Sequence, residues 1–381
     1  ARRRSFTEGR RLRVLEPSPE RVTEACALAD TCGGCDWQHI SYDAQLELKA
    51  GLIAEALGRT GGFRELPAIA VTASPHALGY RLRARFHIDE HGEIGFHEKR
   101  SHRVIAVSRC PVAHPELERA LSDFRRIAST VPRLLTEFET AELRVSPLTP
   151  ERALCLLARG EPREARRRAS VLLERLEAEF AVAIGGLPAN FTQSFPLAEE
   201  LLLEVSPHGF VQVNWEVNLA LVDYVVRGAT ARGAKRFLDA YAGAGNFTLP
   251  LARAGLSGLS IEAQPEGALA AAQSFARYEF SKLEALADDA AHALARLARE
   301  RASFDLVLLD PPRAGAQPLL EPLLALQPPH IAYCSCDPVT LARDLRTLCQ
   351  HGYAIEEIRG FDMFPGTHHV ETVVWLGRRC E

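Results

Sequence analysis

Five short apolar-rich runs constrain the second half of this chain more than any other feature. They are Arg236–Leu238, Gly258–Ile261, Phe304–Leu309, Ile331–Tyr333 and Thr372–Leu376, with helical spacing in the gaps between them. Strands covered on both faces read as continuous apolar runs. Strands that alternate with helices build a parallel sheet with helices on both sides. The expectation is therefore a doubly wound, Rossmann-like α/β domain over 206–381. The first half reads differently. Residues 41–58 have helical spacing, with Leu46, Leu48, Ile53 and Leu57 apolar. From Tyr80 to Val107 the pattern is strand-like, and the turn His91-Gly92 suggests a hairpin. Helical runs follow at Glu116–Ser129 and Arg163–Phe180. With 381 residues, the chain exceeds one ordinary domain.

The first strand leads into a glycine turn and a helix start, Asp239-Ala240-Tyr241-Ala242-Gly243-Ala244-Gly245-Asn246-Phe247-Thr248. Such a turn lets a ligand approach the backbone. A dinucleotide fingerprint requires a third glycine where Thr248 stands. Asp239 at the strand end suits a cationic ligand better than a pyrophosphate. Glu262 ends the next strand, where a carboxylate can take both hydroxyls of a ribose. Asp289, after a further helix, is placed to meet an adenine. A glycine loop, a ribose acid and an adenine acid in this order fit S-adenosylmethionine.

Two later motifs lie at the same rim of the sheet. Asp310-Pro311-Pro312-Arg313 follows one strand, and Ser335-Cys336-Asp337-Pro338 follows the next. Ligands in open parallel sheets sit beyond such carboxyl ends. Cys336 in a polar loop is a candidate nucleophile, given a lowered thiol pKa. Cys334 reads as a strand residue facing the sheet. Near the C-terminus, Pro365-Gly366-Thr367-His368-His369-Val370-Glu371 precedes an apolar run. It reads as an acid/base loop, a metal pair or a polar strand entry.

Nine cysteines, an odd number, occur without a secretory signal, because Ala1-Arg2-Arg3-Arg4 is followed by no apolar run. This implies a reducing, cytoplasmic setting in which clustered cysteines serve metals or catalysis. No stretch of about 18 uncharged apolar residues occurs, which excludes a helical membrane span. The chain does not begin with Met, so its true start is expected to have been trimmed. Cys26, Cys32 and Cys35 have C-x5-C-x2-C spacing, and Cys110 is followed by Pro111. Three close thiolates with a distant Cys-Pro favour a [4Fe–4S] cluster over zinc, although spacing alone leaves both open. The net charge of −4 excludes a globally basic nucleic-acid binder but not a local basic surface. Arg81, Arg83 and Arg85 alternate, so all three share a face if they lie on a strand. With Lys99, Arg100 and Arg103 they are expected to contact phosphate.

Taken together, the motifs resemble the S-adenosylmethionine-dependent RNA uracil-5-methyltransferase family. The order is Gly209-Phe210-Val211-Gln212-Val213-Asn214, the Asp239–Thr248 loop, Asp310-Pro311-Pro312-Arg313, Ser335-Cys336-Asp337-Pro338 and His369-Val370-Glu371. The resemblance implies cofactor contacts from Gln212, Tyr241, Asn246, Glu262, Asp289 and Asp310. It implies Cys336 as nucleophile and Glu371 as base. It also implies an RNA substrate, with 23S ribosomal RNA favoured over transfer RNA because the ribosomal branch carries a cluster of this arrangement. A non-catalytic iron–sulfur RNA-binding or assembly factor is the rival reading. Two positions depart from the family pattern: Asp337 stands in place of Asn, and Ala242 in place of a residue that is often Cys. A charge at Asp337 is expected to raise the Cys336 pKa. The expected organisation is a basic arm or β-domain remnant at 1–25, an iron–sulfur and RNA-binding α+β region at 26–205 and the methyltransferase domain at 206–381. Nothing in the sequence places the cysteine cluster near the methyl transfer.

Overall fold

The computed structural model describes residues 13–379. Arg2, Arg3, Arg4, Arg10 and Arg11 of the basic arm, and Cys380, lie outside the described residues. An eight-stranded sheet forms the C-terminal half, where the sequence places the candidate catalytic residues. Its order is Ala70–Thr72, Tyr353–Phe361, Glu371–Arg378, His330–Ser335, Leu306–Leu309, Arg236–Ala240, Ser257–Glu262 and Leu283–Ala287. All five apolar runs are strands of this sheet. Leu306–Leu309, for example, is buried at every position, as expected of a strand covered on both faces.

After the edge strand Ala70–Thr72, the chain returns to this sheet at its middle, with Arg236–Ala240. It moves outward through Ser257–Glu262 and Leu283–Ala287, then returns to Leu306–Leu309 on the other side. That reversal opens a crevice at the carboxyl ends of the central strands, where ligands bind in such folds. The last strand departs from the parallel pattern. Glu371–Arg378 runs antiparallel to both neighbours. It therefore enters the sheet at the rim where the other strands end, and this brings Glu371, its first residue, to that rim.

A second, six-stranded sheet has the order Val104–Ala106, Ile94–His97, Arg83–Ile88, Phe138–Val145, Arg152–Ala158 and Ala181–Ile184. Gly92 turns the first hairpin at a φ of 83°, a conformation that favours glycine. Helices Pro115–Ser129 and Ser170–Glu177 bury Leu117, Leu121, Phe124, Leu172 and Leu176 in its core. A hairpin of Gln193–Ala198 and Leu201–Val205 links this half to the catalytic sheet. The helix expected at 41–58 is Tyr42–Ala56, continued as a single wider turn over Leu57–Gly61. Its Ile53 and Leu57 enter the core of the catalytic sheet, and Ala70–Thr72 pairs with Arg359–Phe361 at the sheet edge. Among the described residues no helix is long and apolar enough to cross a membrane.

Candidate active site

The glycine loop and its acidic neighbours form one end of the crevice. Tyr241 leaves the central strand at a φ of 74°, and the N–H groups of Tyr241 and Ala242 both donate to Ile261 O, at 3.0 and 2.9 Å. A non-glycine residue in that region stores strain of about 1–3 kcal/mol. The strain is tolerated where the surroundings over-determine the turn. Glu262 ties the loop to the next strand: its Oε2 accepts from Gly243 N (2.9 Å) and its Oε1 from Gln264 N (2.7 Å). Gly267 lets the following helix close on that loop. A Cβ there would lie 2.9 Å from Glu262 Cγ and 3.3 Å from Gly243 O. The result is a cavity of about 320 Å³ lined by Gly209, Phe210, Gly243, Glu262 and Gln264, among others.

Of the expected cofactor residues, Glu262 lines this cavity; Gln212, Tyr241, Asn246, Asp289 and Asp310 lie outside its lining. Asn246 and Asn218 exchange two amide hydrogen bonds of 2.9 Å each, so the Asn246 side chain is already occupied. Asp289 caps the helix Ala290–Arg299 by accepting from His292 N (3.0 Å). Burial pushes the Tyr241 phenol up to about 12. Asp239 is fully buried. One of its oxygens accepts from Thr248 Oγ1 at 2.6 Å, and the other has no partner. Burial pushes its carboxyl up to about 7, with the charges of Asp310 and Glu262 adding to the rise. An unpartnered buried carboxylate oxygen at the foot of the glycine loop fits a cationic ligand such as a sulfonium.

The second group of residues meets at the ends of the next strands. Cys336 follows the strand His330–Ser335 and precedes Asp337, the N-cap of helix Pro338–Gln350. Asp337 Oδ1 accepts from Val339 N and Thr340 N, both at 2.9 Å. The carboxylate thus caps a helix, a task Asn performs equally well. The leading charges that act against the Cys336 thiolate are those of Glu371 and Asp310. Burial is the largest cause, and the thiol is pushed up to about 11. Arg313 opposes this through its charge and a hydrogen bond to the thiol.

Glu371 is buried, with its carboxyl pushed up to about 8, first by burial and then by Asp310, against Arg313. Burial lifts Asp310 to about 6. Cys336, Glu371, Asp310 and Arg313 therefore sense one another, so the fold gathers a thiol, two carboxyls and one guanidinium at a single rim. Arg313 is the member with no role in the sequence reading. Its position directly after Asp310-Pro311-Pro312 was the available signal. His369, pushed down to about 4 by burial, remains neutral beside them. Cys334 is buried in the sheet opposite Val373.

Cys26, Cys32, Cys35 and Cys110 line one cavity of about 340 Å³, although they come from segments far apart in sequence. Among the described residues, no three His, Cys, Asp or Glu side chains stand close enough to hold a single metal ion. Arg81 is bridged to Ala113 and Asn214 just ahead of the strand Arg83–Ile88, and Arg81, Arg83 and Arg85 alternate with buried Leu82, Ala84 and Phe86. All three arginines line the cysteine cavity, Arg81 with its Nε buried and unpartnered. Arg83 and Arg85 both pair with Glu142, and Arg83 also lies over the Phe210 ring, 4.7 Å from its centroid. Lys99 donates to Ala29 O, and Arg103 pairs with Glu98.

Residues 189–379 match the family described as tRNA (Uracil-5-)-methyltransferase. A 23S rRNA (uracil(1939)-C(5))-methyltransferase of Edwardsiella ictaluri is 33% identical, covering 97% of this chain and 85% of the relative. An uncharacterized RNA methyltransferase of Synechocystis is 32% identical over 98% of this chain and 86% of its own length. Among solved structures, the Pyrococcus abyssi tRNA (uracil-54, C5)-methyltransferase, in complex with S-adenosyl-L-homocysteine, superposes with a TM-score of 0.70. It has 25% sequence identity and covers 96% of this chain and 88% of the other.

Proposed function

The chain belongs to the RNA uracil-5-methyltransferases, and from that premise we propose that it forms 5-methyluridine in 23S ribosomal RNA, with Cys336 as nucleophile and Glu371 as base. The single observation that carries the residue assignment is the mutual electrostatic influence of Cys336, Glu371, Asp310 and Arg313 at one rim. C5 of uracil is a poor nucleophile. Addition of the Cys336 thiolate to C6 forms a C–S bond and moves the ring electron pair to C5 as an enolate. S-adenosylmethionine, when bound, supplies the methyl group that C5 takes up. Glu371 then removes the C5 proton, the C5–C6 double bond re-forms, and the thiolate leaves. Arg313 supports the first step by favouring the thiolate, as does the position of Cys336 just ahead of a helix N-terminus. The target base must be unstacked, since C5 and C6 are otherwise inaccessible.

Asp239, Glu262 and Asp310 are the side chains we assign to the cofactor, with Gln212, Tyr241, Asn246 and Asp289 completing its surround. For Asn246 the contact falls to the backbone, because Asn218 holds its side chain. We further assign Cys26, Cys32, Cys35 and Cys110 to a [4Fe–4S] cluster in the cytoplasmic enzyme. A lone zinc draws its four sulfurs to about 3.8 Å from one another, given a Zn–S distance near 2.3 Å. A cluster spreads its four thiolates over separate irons. Four thiolates on such a cluster leave net negative charge, which the unpartnered Arg81 Nε complements. Its contribution is structural, and no reaction step uses it. We divide the chain at about residue 205 into an RNA-binding region and a catalytic domain, with Tyr42–Thr72 lent to the catalytic sheet.

The test sets two variants against each other on a 23S fragment with labelled S-adenosylmethionine. Cys336→Ala should bind RNA but form no covalent adduct and no product. Glu371→Gln should accumulate a denaturation-resistant adduct carrying the methyl label. Adduct in Cys336→Ala moves the nucleophile elsewhere, and its absence in Glu371→Gln removes the role of base. Mapping 5-methyluridine in RNA from a deletion strain decides between ribosomal and transfer RNA.

A further inference from the structure

The loop that delivers Glu371 is held from the N-terminal side. Among the described residues, the long-range hydrogen bonds that leave Asp362–His368 end on residues between 36 and 80; the others go to the adjoining Phe361 and His369. Asp362 N donates to Thr72 O at 2.9 Å. Buried Lys49 pairs with the Asp362 carboxylate and donates to Phe364 O at 3.1 Å. Tyr80 OH donates to Pro365 O (3.1 Å), and Gly366 N donates to Gln45 Oε1 (2.8 Å). Gly366 O accepts from Asp36 N (3.2 Å) and Trp37 N (2.9 Å).

Asp36 stands out in this set because it grips the loop nearest to Glu371, and does so with both backbone and side chain. Its Oδ1 accepts from His368 N at 3.2 Å, and its Oδ2 lies 2.7 Å from His368 Nδ1. Asp36 also directly follows Cys35, one wall of the cysteine cavity. The cysteine segment and the base loop are therefore adjacent in space, although the sequence separates them by more than 300 residues.

We propose that Asp36 is a positioning residue for proton abstraction: by fixing His368, three residues ahead of Glu371, it holds the base loop in register with the reacting carbon. The inference rests on the reading of Glu371 as base. Glu371 is anchored from behind by strand pairing with Phe361, which does not involve Asp36. Removing Asp36 thus leaves the strand intact and frees the approach from His368 to Val370. The Asp36 and His368 side chains are 44% and 55% exposed, so their loss costs the fold little. Misplacing a reacting group by about 1 Å, however, costs on the order of 10²-fold in rate. The affected step is the one Glu371 performs, after the methyl group has been transferred.

The experiment compares wild type, Asp36→Ala, Asp36→Asn and Glu371→Gln in single turnover with a 23S fragment and methyl-labelled S-adenosylmethionine. Methyl transfer and release of free RNA are followed separately, with thermal stability and RNA affinity measured alongside. Asp36→Ala should transfer the methyl group at close to the wild-type rate but release RNA about 10- to 100-fold more slowly. Labelled adduct should build up, with thermal stability and RNA affinity unchanged. Asp36→Asn keeps an acceptor for His368 N–H and should recover most of the release rate. Unaltered release in Asp36→Ala overturns the proposal. A parallel fall in transfer, release and thermal stability also overturns it, because that is a folding defect. Adduct in Glu371→Gln without adduct in Asp36→Ala refutes Asp36 alone, whereas no adduct in Glu371→Gln refutes the base itself.

Discussion

Glu371→Gln should make the protein inactive and more stable, and the stability gain should depend on pH. In the fold the Glu371 carboxyl is pushed up from 4.5 to about 8, mainly by burial. A group whose carboxyl is raised on folding stabilises the fold fully below its unfolded value. That contribution is lost as pH rises through the folded value. At about 1.4 kcal/mol per pH unit, the ionisation penalty reaches about 3 kcal/mol at pH 7 and approaches about 5 kcal/mol above pH 9. These are ceilings, since neighbours relax. Gln keeps the shape and has no proton to lose. Melting temperatures shift by about 2–4 °C per kcal/mol in chains of 150–250 residues, and by less in longer ones. The assay is thermal unfolding of both proteins from pH 4.5 to 9. The variant should match wild type near pH 4.5, gain several degrees by pH 8 and gain little more above. A variant that melts at or below wild type throughout would refute the reasoning, because Glu371 would then be contributing to the fold instead of straining it.

The rate of RNA release in single turnover should rise with pH and level off above about 8, as the Glu371 carboxylate forms; a flat profile would assign the limiting proton transfer to another group. Glu262→Ala should weaken S-adenosylmethionine binding at least tenfold with RNA binding retained, since charge-assisted hydrogen bonds are worth roughly 1.5–3 kcal/mol each; unchanged affinity by calorimetry would place the cofactor elsewhere. Anaerobically purified protein should be brown and hold about four irons, and Cys32→Ser should lose the colour; one zinc without iron would overturn the cluster. S-adenosylmethionine binding should release protons between about pH 6 and 8, whereas S-adenosylhomocysteine, which lacks the sulfonium charge, should release fewer; equal release, from calorimetry in buffers of different ionisation enthalpy, would refute this.

The catalytic sheet was legible where its strands are covered on both faces. Burial at every position makes Leu306–Leu309 a plain apolar run, and the same holds for most of Glu371–Arg378. It was illegible at the edges. Leu283–Ala287 is buried at one position of five, and its Leu-Glu-Ala-Leu-Ala text suits a helix equally well. Ala70–Thr72 is too short to show a period and joins the sheet from the other half of the chain. The reversed direction of the last strand is topological and has no local signature. At the candidate site, Cys336 and Glu371 stand in short motifs beside turn residues, which is what singles them out in the sequence as the proposed nucleophile and base. Arg313 stood in such a motif without a role, because only the fold brings it between a thiol and a carboxyl. The shared face of Arg81, Arg83 and Arg85 was legible because they alternate with apolar Leu82, Ala84 and Phe86, although only the fold shows that this face looks into the cysteine cavity.

The electrostatics of the crevice suit the reaction we propose for it. Asp239, Asp310 and Glu371 are all lifted well above ordinary carboxyls, and Arg313 is the cation that opposes the rise at Glu371 and at the Cys336 thiol. A site built for stability alone would surround three carboxyls with more positive charge. If the residues act in the roles proposed above, two demands conflict. Asp239 and Asp310 must meet a cationic methyl donor, and they do so most strongly if no fixed cation already neutralises them. Glu371 must be basic enough to take a carbon-bound proton, which a nearby cation would weaken by lowering its pKa. Cys336 alone gains from a cation, because its thiolate must form against the same carboxyls. One guanidinium beside Cys336 meets that need, yet leaves Glu371 near 8 and Asp310 near 6. With Asp239 lifted to about 7 and Glu371 to about 8, these carboxyls keep protons further into the neutral range than ordinary ones do. Under the proposed assignment, binding the donor displaces protons from Asp239 and Asp310, so the cofactor end of the crevice is more ionised when the methyl group is present.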